Sequence, residues 1–161
     1  MEFVWSPWRF QYMASLGAPD SARRCVFCIG EDPSHDAERL VLHRGKLNFI
    51  ILNLFPYTSG HLMVAPYEHL NSIVSASAEQ TGEMMDLTKM AVRALTDTYH
   101  PEGFNIGMNL GHVAGAGVRD HFHLHVVPRW AGDANFMTIT GETRVLPEEL
   151  TTTYQKLRSA L

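Results

Sequence analysis

This 161-residue chain is short of several things that would mark other classes of protein. It has only two cysteines, Cys25 and Cys28, which is too few for a disulfide framework. Their Cys-x-x-Cys spacing points to reduced thiols and a cytoplasmic location. No apolar run approaches the ~20 residues needed to cross a bilayer; Phe49 to Leu52 is interrupted at Asn53, so no membrane partner is expected. The opening Met1-Glu2-Phe3-Val4-Trp5-Ser6-Pro7-Trp8-Arg9 has an early acid and no apolar core, unlike a secretory leader. Basic charge is not in excess either. Thirteen Lys+Arg against 17 Asp+Glu leave a formal charge of −4, which argues against a protein that coats nucleic acid or an anionic membrane. Internal repeats and low-complexity stretches are missing.

What remains is an ordinary soluble composition, 45% hydrophobic and 19% charged. A chain of this length buries roughly 70% of its unfolded surface, and one domain over 1–161 is expected. The first 24 residues hold Phe3, Trp5, Trp8, Phe10 and Tyr12, an aromatic arm that ends in the polar linker Gly17 to Ser21. Strand-like patterning covers 40–44, 47–54, 61–65, 104–110 and 121–127, the last ended by Pro128. Ser77-Ala78-Glu79-Gln80 fits a capping box. Met84, Leu87, Ala91, Ala94 and Leu95 then recur at helical spacing as far as Tyr99, a stripe that reads as core packing. Pro101 and Gly103 close that helix. A second helix is expected from Pro147, within a C-terminal extension over 129–161. The order predicts an α+β fold: an antiparallel sheet of about five strands, one long helix and a C-terminal helix.

The chemistry concentrates in histidine, of which there are nine. In Asp120-His121-Phe122-His123-Leu124-His125-Val126-Val127, period-two alternation puts His121, His123 and His125 on one face, about 6.7 Å apart. Phe122, Leu124 and Val126 turn the other way, toward the core. Three imidazoles on one face each need partners for two nitrogens. They could hold a catalytic metal, or the middle one could attack phosphorus while its neighbours orient it. Alternation alone leaves both open, and the preceding Gly115-Ala116-Gly117 loop, which can offer N–H groups to a phosphate, favours the second. Cys25 and Cys28 are two ligands at zinc spacing, a redox pair, or two core thiols. His35 and His43 read as surface residues and His100 as a helix-end cation. His112 lies beside the glycine loop, and Asp120 faces away from the imidazoles.

His121-Phe122-His123-Leu124-His125-Val126-Val127 is similar to the His-x-His-x-His-x-x signature of the histidine triad superfamily. Asn53, Gly60-His61-Leu62-Met63-Val64, Asn109 and Pro128-Arg129 extend the resemblance over roughly Cys25 to Pro128. The tail from Arg129 to Phe136 and the arm near Trp5 and Trp8 resemble the bacterial branch akin to dinucleoside polyphosphate hydrolases and phosphorylases. The resemblance implies a histidine triad fold and a homodimer whose sheets join. It implies cleavage of a phosphoanhydride at the α-phosphorus of a diadenosine polyphosphate or related nucleotide, through a nucleotidyl-histidine on His123. His121 and His125 would flank the nucleophile and His61 would help position it or the α-phosphate. Asn53 would meet the ribose, Ile51 and Met63 the base, and Asn109 a phosphate or leaving group. Ala116, Gly117 and Val118 stand where many catalytic members carry Ser, Thr or Gln; here backbone N–H groups would contact phosphate. In zinc-bearing relatives the partners of such a Cys pair correspond to His69 and His121, implying one structural zinc per chain and no organic cofactor. Two rivals stand beside this reading: a nucleotide-binding regulatory module with little turnover, and a metal-dependent hydrolase with all three triad imidazoles on one ion.

Overall fold

A computed structural model of the chain describes residues 25–133 and 148–161. The aromatic arm over 1–24 and the tail beyond Asp133 as far as Pro147 lie outside the described residues. The first strands are β1 (Val41–Arg44), β2 (Asn48–Leu52) and β3 (Leu62–Pro66), followed by β4 (Gly103–Met108) and β5 (Leu124–Arg129). They form one antiparallel sheet in the order β1-β2-β3-β5-β4. The last strand in sequence is therefore inserted next to β3, and Met63 pairs with His125 across that junction.

The other strands fall within two residues of expectation, and β5 differs at both ends. His121 to His123 precede the hydrogen-bonded part of β5, which begins at Leu124. Pro128 also does not end the strand, which runs on to Arg129 with Pro128 opposite Phe104. β3 pairs with β5 only as far as Leu62 and Val126. Beyond that point the ring's missing N–H breaks no ladder bond, and the Pro128 carbonyl accepts the Thr58 hydroxyl at 2.8 Å. Only the part of β5 between β3 and β4 has to satisfy two ladders.

Among the described residues are three α-helices: α1 (Asp36–Arg39) ahead of β1, α2 (Ala78–Tyr99) between β3 and β4, and α3 (Leu150–Ala160) after β5. Both arms of the expected capping box form on α2: the Gln80 N–H donates to Ser77 Oγ at 3.1 Å, and the Ser77 N–H to Gln80 Oε1 at 2.8 Å. Helix α2 buries Met84, Leu87, Ala91 and Leu95 against Leu42, Ile50, Leu52, Leu62, Val64, Leu124 and Val126 of the sheet and Phe122 just ahead of β5. Leu157 of α3 completes this core. Glu83 pins α2 to the β1–β2 turn, accepting from the Lys46 and Leu47 amides and from Asn48 Nδ2 at 2.6, 2.7 and 2.8 Å. The opposite sheet face carries a second buried cluster, Phe27, Ile29, Val41, Phe49, Ile51, Met63 and Ala65. It is covered by residues 25–40, to which sequence patterning assigned no helix or strand before Leu40. Arg44 of β1 holds that cover, donating from Nη2 to Asp36 Oδ1 at 2.7 Å and from Nη1 to the Gly30 carbonyl at 2.8 Å.

Candidate active site and metal cluster

A cleft of about 690 Å³ opens between the 25–40 cover and the ends of β2, β3 and β5. That volume falls in the range of sites that enclose a small organic ligand. Ile51, Asn53, Met63, Asn109, Gly117, Val118, His123 and His125 line it. Ala116 is buried and is not among the lining residues, so of the expected loop trio only Gly117 and Val118 face the cleft. His61 and His121 are buried behind its wall. Sequence reading missed the outer rim, where His35, Glu38 and Arg39 line the mouth. His35, expected as an ordinary surface residue, meets Glu38 Oε2 at 3.1 Å there. Nothing local distinguishes that short polar turn from any other loop.

Backbone groups set the tautomers of the imidazoles. His123 Nδ1 lies 3.0 Å from the His121 carbonyl. A carbonyl only accepts, so Nδ1 carries the proton and Nε2 keeps its lone pair. Burial pushes the His123 imidazole below its ordinary value, outweighing the carbonyl bond, which favours the charged form. His123 is therefore neutral near pH 7 and nucleophilic at Nε2. The Tyr57 N–H donates to His61 Nδ1 at 3.1 Å, which leaves the proton of neutral His61 on Nε2. That Nε2 stands 2.9 Å from His125 Nδ1, so His125 accepts there and presents its own N–H from Nε2. The ring centroids of His123 and His125 are 4.8 Å apart. An electron pair and a proton donor thus stand side by side at the cleft. His61 reaches this pair through His125. Gly60 delivers it: φ is +78° there, and a Cβ would come within 2.8 Å of Leu95 Cδ2.

His121 belongs to a second constellation. Its Nε2 donates to the Pro66 carbonyl at 2.8 Å, which leaves the Nδ1 lone pair free. Burial holds this imidazole below its ordinary value too, opposed by the Pro66 bond. Nδ1 lies 3.5 Å from Cys25 Sγ and 3.9 Å from Cys28 Sγ, and His69 Nδ1 is 3.3 Å from Cys28 Sγ. All four ligand atoms fall within 4.8 Å of one another. Zn–S bonds of about 2.3 Å and Zn–N bonds of about 2.0–2.1 Å at tetrahedral angles require S–N edges of about 3.5 Å. The two thiols and two imidazoles therefore fit a tetrahedral ion. Among the described residues this is the group of His, Cys and acids that could hold a metal. The triad imidazoles do not converge on one point, because the Nδ1 atoms of His121, His123 and His125 face the thiols, a backbone carbonyl and His61 respectively.

The cleft at the open face of the antiparallel sheet holds a neutral imidazole backed by a backbone carbonyl, an arrangement able to attack an electrophile. A family model described as the HIT domain matches residues 34–132, and the chain belongs to the HIT domain family. It is 40% identical to an AP-4-A phosphorylase of Mycobacterium tuberculosis, over 98% of this chain and 83% of that protein. An adenosine 5′-monophosphoramidase of Schizosaccharomyces pombe is 30% identical over 65% of this chain and 74% of its own length. Among solved structures, a zinc-bound histidine triad family protein of Mycobacterium smegmatis superimposes with a TM-score of 0.65. It is 28% identical, over 84% of this chain and 91% of that one.

Proposed function

We propose that this histidine triad nucleotide hydrolase or transferase cleaves diadenosine tetraphosphate by phosphorolysis, with His123 as the nucleophile. The observation that carries the reading is the bond from His123 Nδ1 to the His121 carbonyl, which leaves the Nε2 lone pair at the cleft beside His125. Nε2 would attack the α-phosphorus, forming a P–N bond as the P–O bond to the remaining triphosphate breaks. ATP departs, and the His125 N–H, supported by His61, hydrogen-bonds the oxygens on which charge builds. Inorganic phosphate would then attack the adenylyl-His123, giving ADP and restoring the neutral imidazole. The 40% identity to an AP-4-A phosphorylase supports phosphate over water as the acceptor. Ile51 and Met63 would wall the base, Asn53 the ribose, and Asn109 with the Gly117 and Val118 amides the phosphates.

Cys25, Cys28, His69 and His121 would hold a structural zinc, which supplies a tetrahedral cross-link and, with it, folding energy. A relative that is zinc-bound and 28% identical supports that assignment. The edge strand β4 leaves Asn105, Ile106 and Gly107 exposed, which supports pairing with the same strand of a second copy and hence a homodimer. Among the described residues no helix is long and apolar enough to cross a membrane; cytoplasmic residence rests on the reduced thiol pair. Incubation with diadenosine tetraphosphate, with and without phosphate, tests the reaction. Equal ADP and ATP, formed only when phosphate is present, is the expected result. AMP plus ATP without phosphate dependence would make the protein an asymmetric hydrolase, and binding without turnover a regulatory module.

A further inference from the structure

The Cys25–Cys28 loop does more than carry two thiols. The Cys28 N–H donates to the Cys25 carbonyl at 3.0 Å, closing a tight turn. Within it Val26 is exposed, whereas Phe27 is turned inward and is only 2% exposed. The Phe27 ring packs against His123, with centroids 4.6 Å apart and planes tilted by 37°. It also touches His121, at 5.4 Å and 59°. One short loop thus places two metal-ligand thiols and an aromatic ring against the nucleophile.

The His123 ring has a single hydrogen bond of its own, from Nδ1 to the His121 carbonyl. One bond leaves the ring free to tilt about its axis, and tilting swings the Nε2 lone pair away from the line of attack. A second planar contact removes that freedom, because offset or tilted ring pairs have a preferred separation and angle. The His125 ring borders His123 edge-on, at 71°, and Phe27 adds the flatter contact, at 37°. It rides on a loop whose two ends are fixed by the atoms that meet His69 and His121. Phe27 also fills space among Ile29, Val41, Phe49 and Ile51 and lines the cleft, so its ring contact with His123 is separated from these roles by a variant that keeps apolar volume.

We propose that Phe27 is a positioning residue for His123, and that it transmits occupancy of the Cys25–Cys28–His69–His121 cluster to the direction of the nucleophile. The proposal rests on the reading of His123 as nucleophile and of the cluster as a metal site. Its test therefore includes a measurement without substrate.

In the free protein, NMR of the His123 ring protons should show upfield ring-current shifts from Phe27. These shifts should vanish in Phe27→Leu, which keeps apolar volume, while metal analysis still finds about one zinc per chain. In the wild type the same shifts should shrink when a chelator withdraws the metal. With diadenosine tetraphosphate in single turnover, adenylyl transfer to the protein should slow by up to about a hundredfold in Phe27→Leu, the size of a misplaced nucleophile. kcat should fall more than KM rises. Unchanged His123 shifts in Phe27→Leu, or an unchanged transfer rate at normal zinc content, would overturn the positioning role. A wild type whose His123 shifts ignore the chelator, or that holds no metal, would overturn the transmission. Should Phe27→Leu fail to fold, Phe27→Met takes its place in the same measurements, and the chelator titration is read while the amide shifts of α2 show the fold intact. Full turnover by His123→Gln would instead sink the nucleophile assignment and leave the substrate-free shifts to judge the contact.

Discussion

The two faces of the sheet are built from the same strands and do different work. On the helix side stand Leu42, Ile50, Leu52, Leu62, Val64, Leu124 and Val126, all buried and all apolar. The cleft side has Val41, Ile51 and Met63 from the same strands, followed by Asn53, His61, His121, His123 and His125 at or just beyond the strand ends. Strand alternation makes the division: in β2, β3 and the start of β5 the even-numbered side chains turn to the helix side and the odd-numbered ones to the cleft side, while a register shift in β1 sends Arg44 to the cover. The apolar face can be held by volume alone. The other face buries imidazoles, and each needs named partners, which it finds in the backbone carbonyls of Pro66 and His121 and the amide of Tyr57. Stability can reside on one face and chemistry on the other because the pleat separates them.

Substitutions on each side can break that comparison. The largest effect is expected for His123→Gln, which should lower turnover by at least about a thousandfold, as removal of a nucleophile does. Its melting temperature should fall less than that of any large-to-small change on the helix side. Leu62→Ala, at a fully buried position, should cost about 2–5 kcal/mol in denaturant melts, with near-normal kcat in the folded protein. Comparable losses of kcat in the two variants would show that the faces are not independent.

Glu83→Gln sharpens the comparison from the edge, since it loosens α2 without touching the cleft. It should cost about 2 kcal/mol at pH 7, because charge-assisted bonds to the β1–β2 turn are lost. Burial raises the Glu83 carboxyl, but its bonds to Asn48, Leu47 and Lys46 outweigh this and hold it below its ordinary value. A depressed carboxyl contributes its stability above the unfolded value of about 4.3, and that contribution is lost as pH falls through the lower folded value. The gap between wild type and variant should therefore close in melts recorded below that range. A gap that stays constant there would mean another group carries the effect. The smallest change is expected from Ser77→Ala, which removes one arm of the capping box for about 1 kcal/mol and leaves turnover intact.

How much of this was legible beforehand follows the range of each interaction. The capping box spans three residues and α2 repeats on its own period, so both could be read directly and both formed. Alternation through the triad could also be read: Phe122, Leu124 and Val126 joined the helix-side core as expected. The start of β5 could not, because ladder bonds depend on where β3 ends. Contacts between distant residues were visible only through resemblance. Cys28 meets His69 across 41 positions and Cys25 meets His121 across 96, and no local pattern encodes such pairings. The rim residues His35, Glu38 and Arg39, and the contact of Phe27 with His123, had no sequence signal, since each arises from how the 25–40 cover lies on the sheet.

The sequence by itself determined which residues share a strand or helix face, because backbone periodicity is a local property. That was enough to put the three imidazoles opposite the core and to mark a Cys pair with ligand spacing. Only the tertiary structure decided what each imidazole does. A histidine's tautomer depends on whichever donor or acceptor the fold brings to each ring nitrogen. His121 turns to the thiols, His123 to a backbone carbonyl and His125 to His61, so three residues alike in sequence become a candidate metal ligand, a candidate nucleophile and a candidate hydrogen-bond donor to substrate.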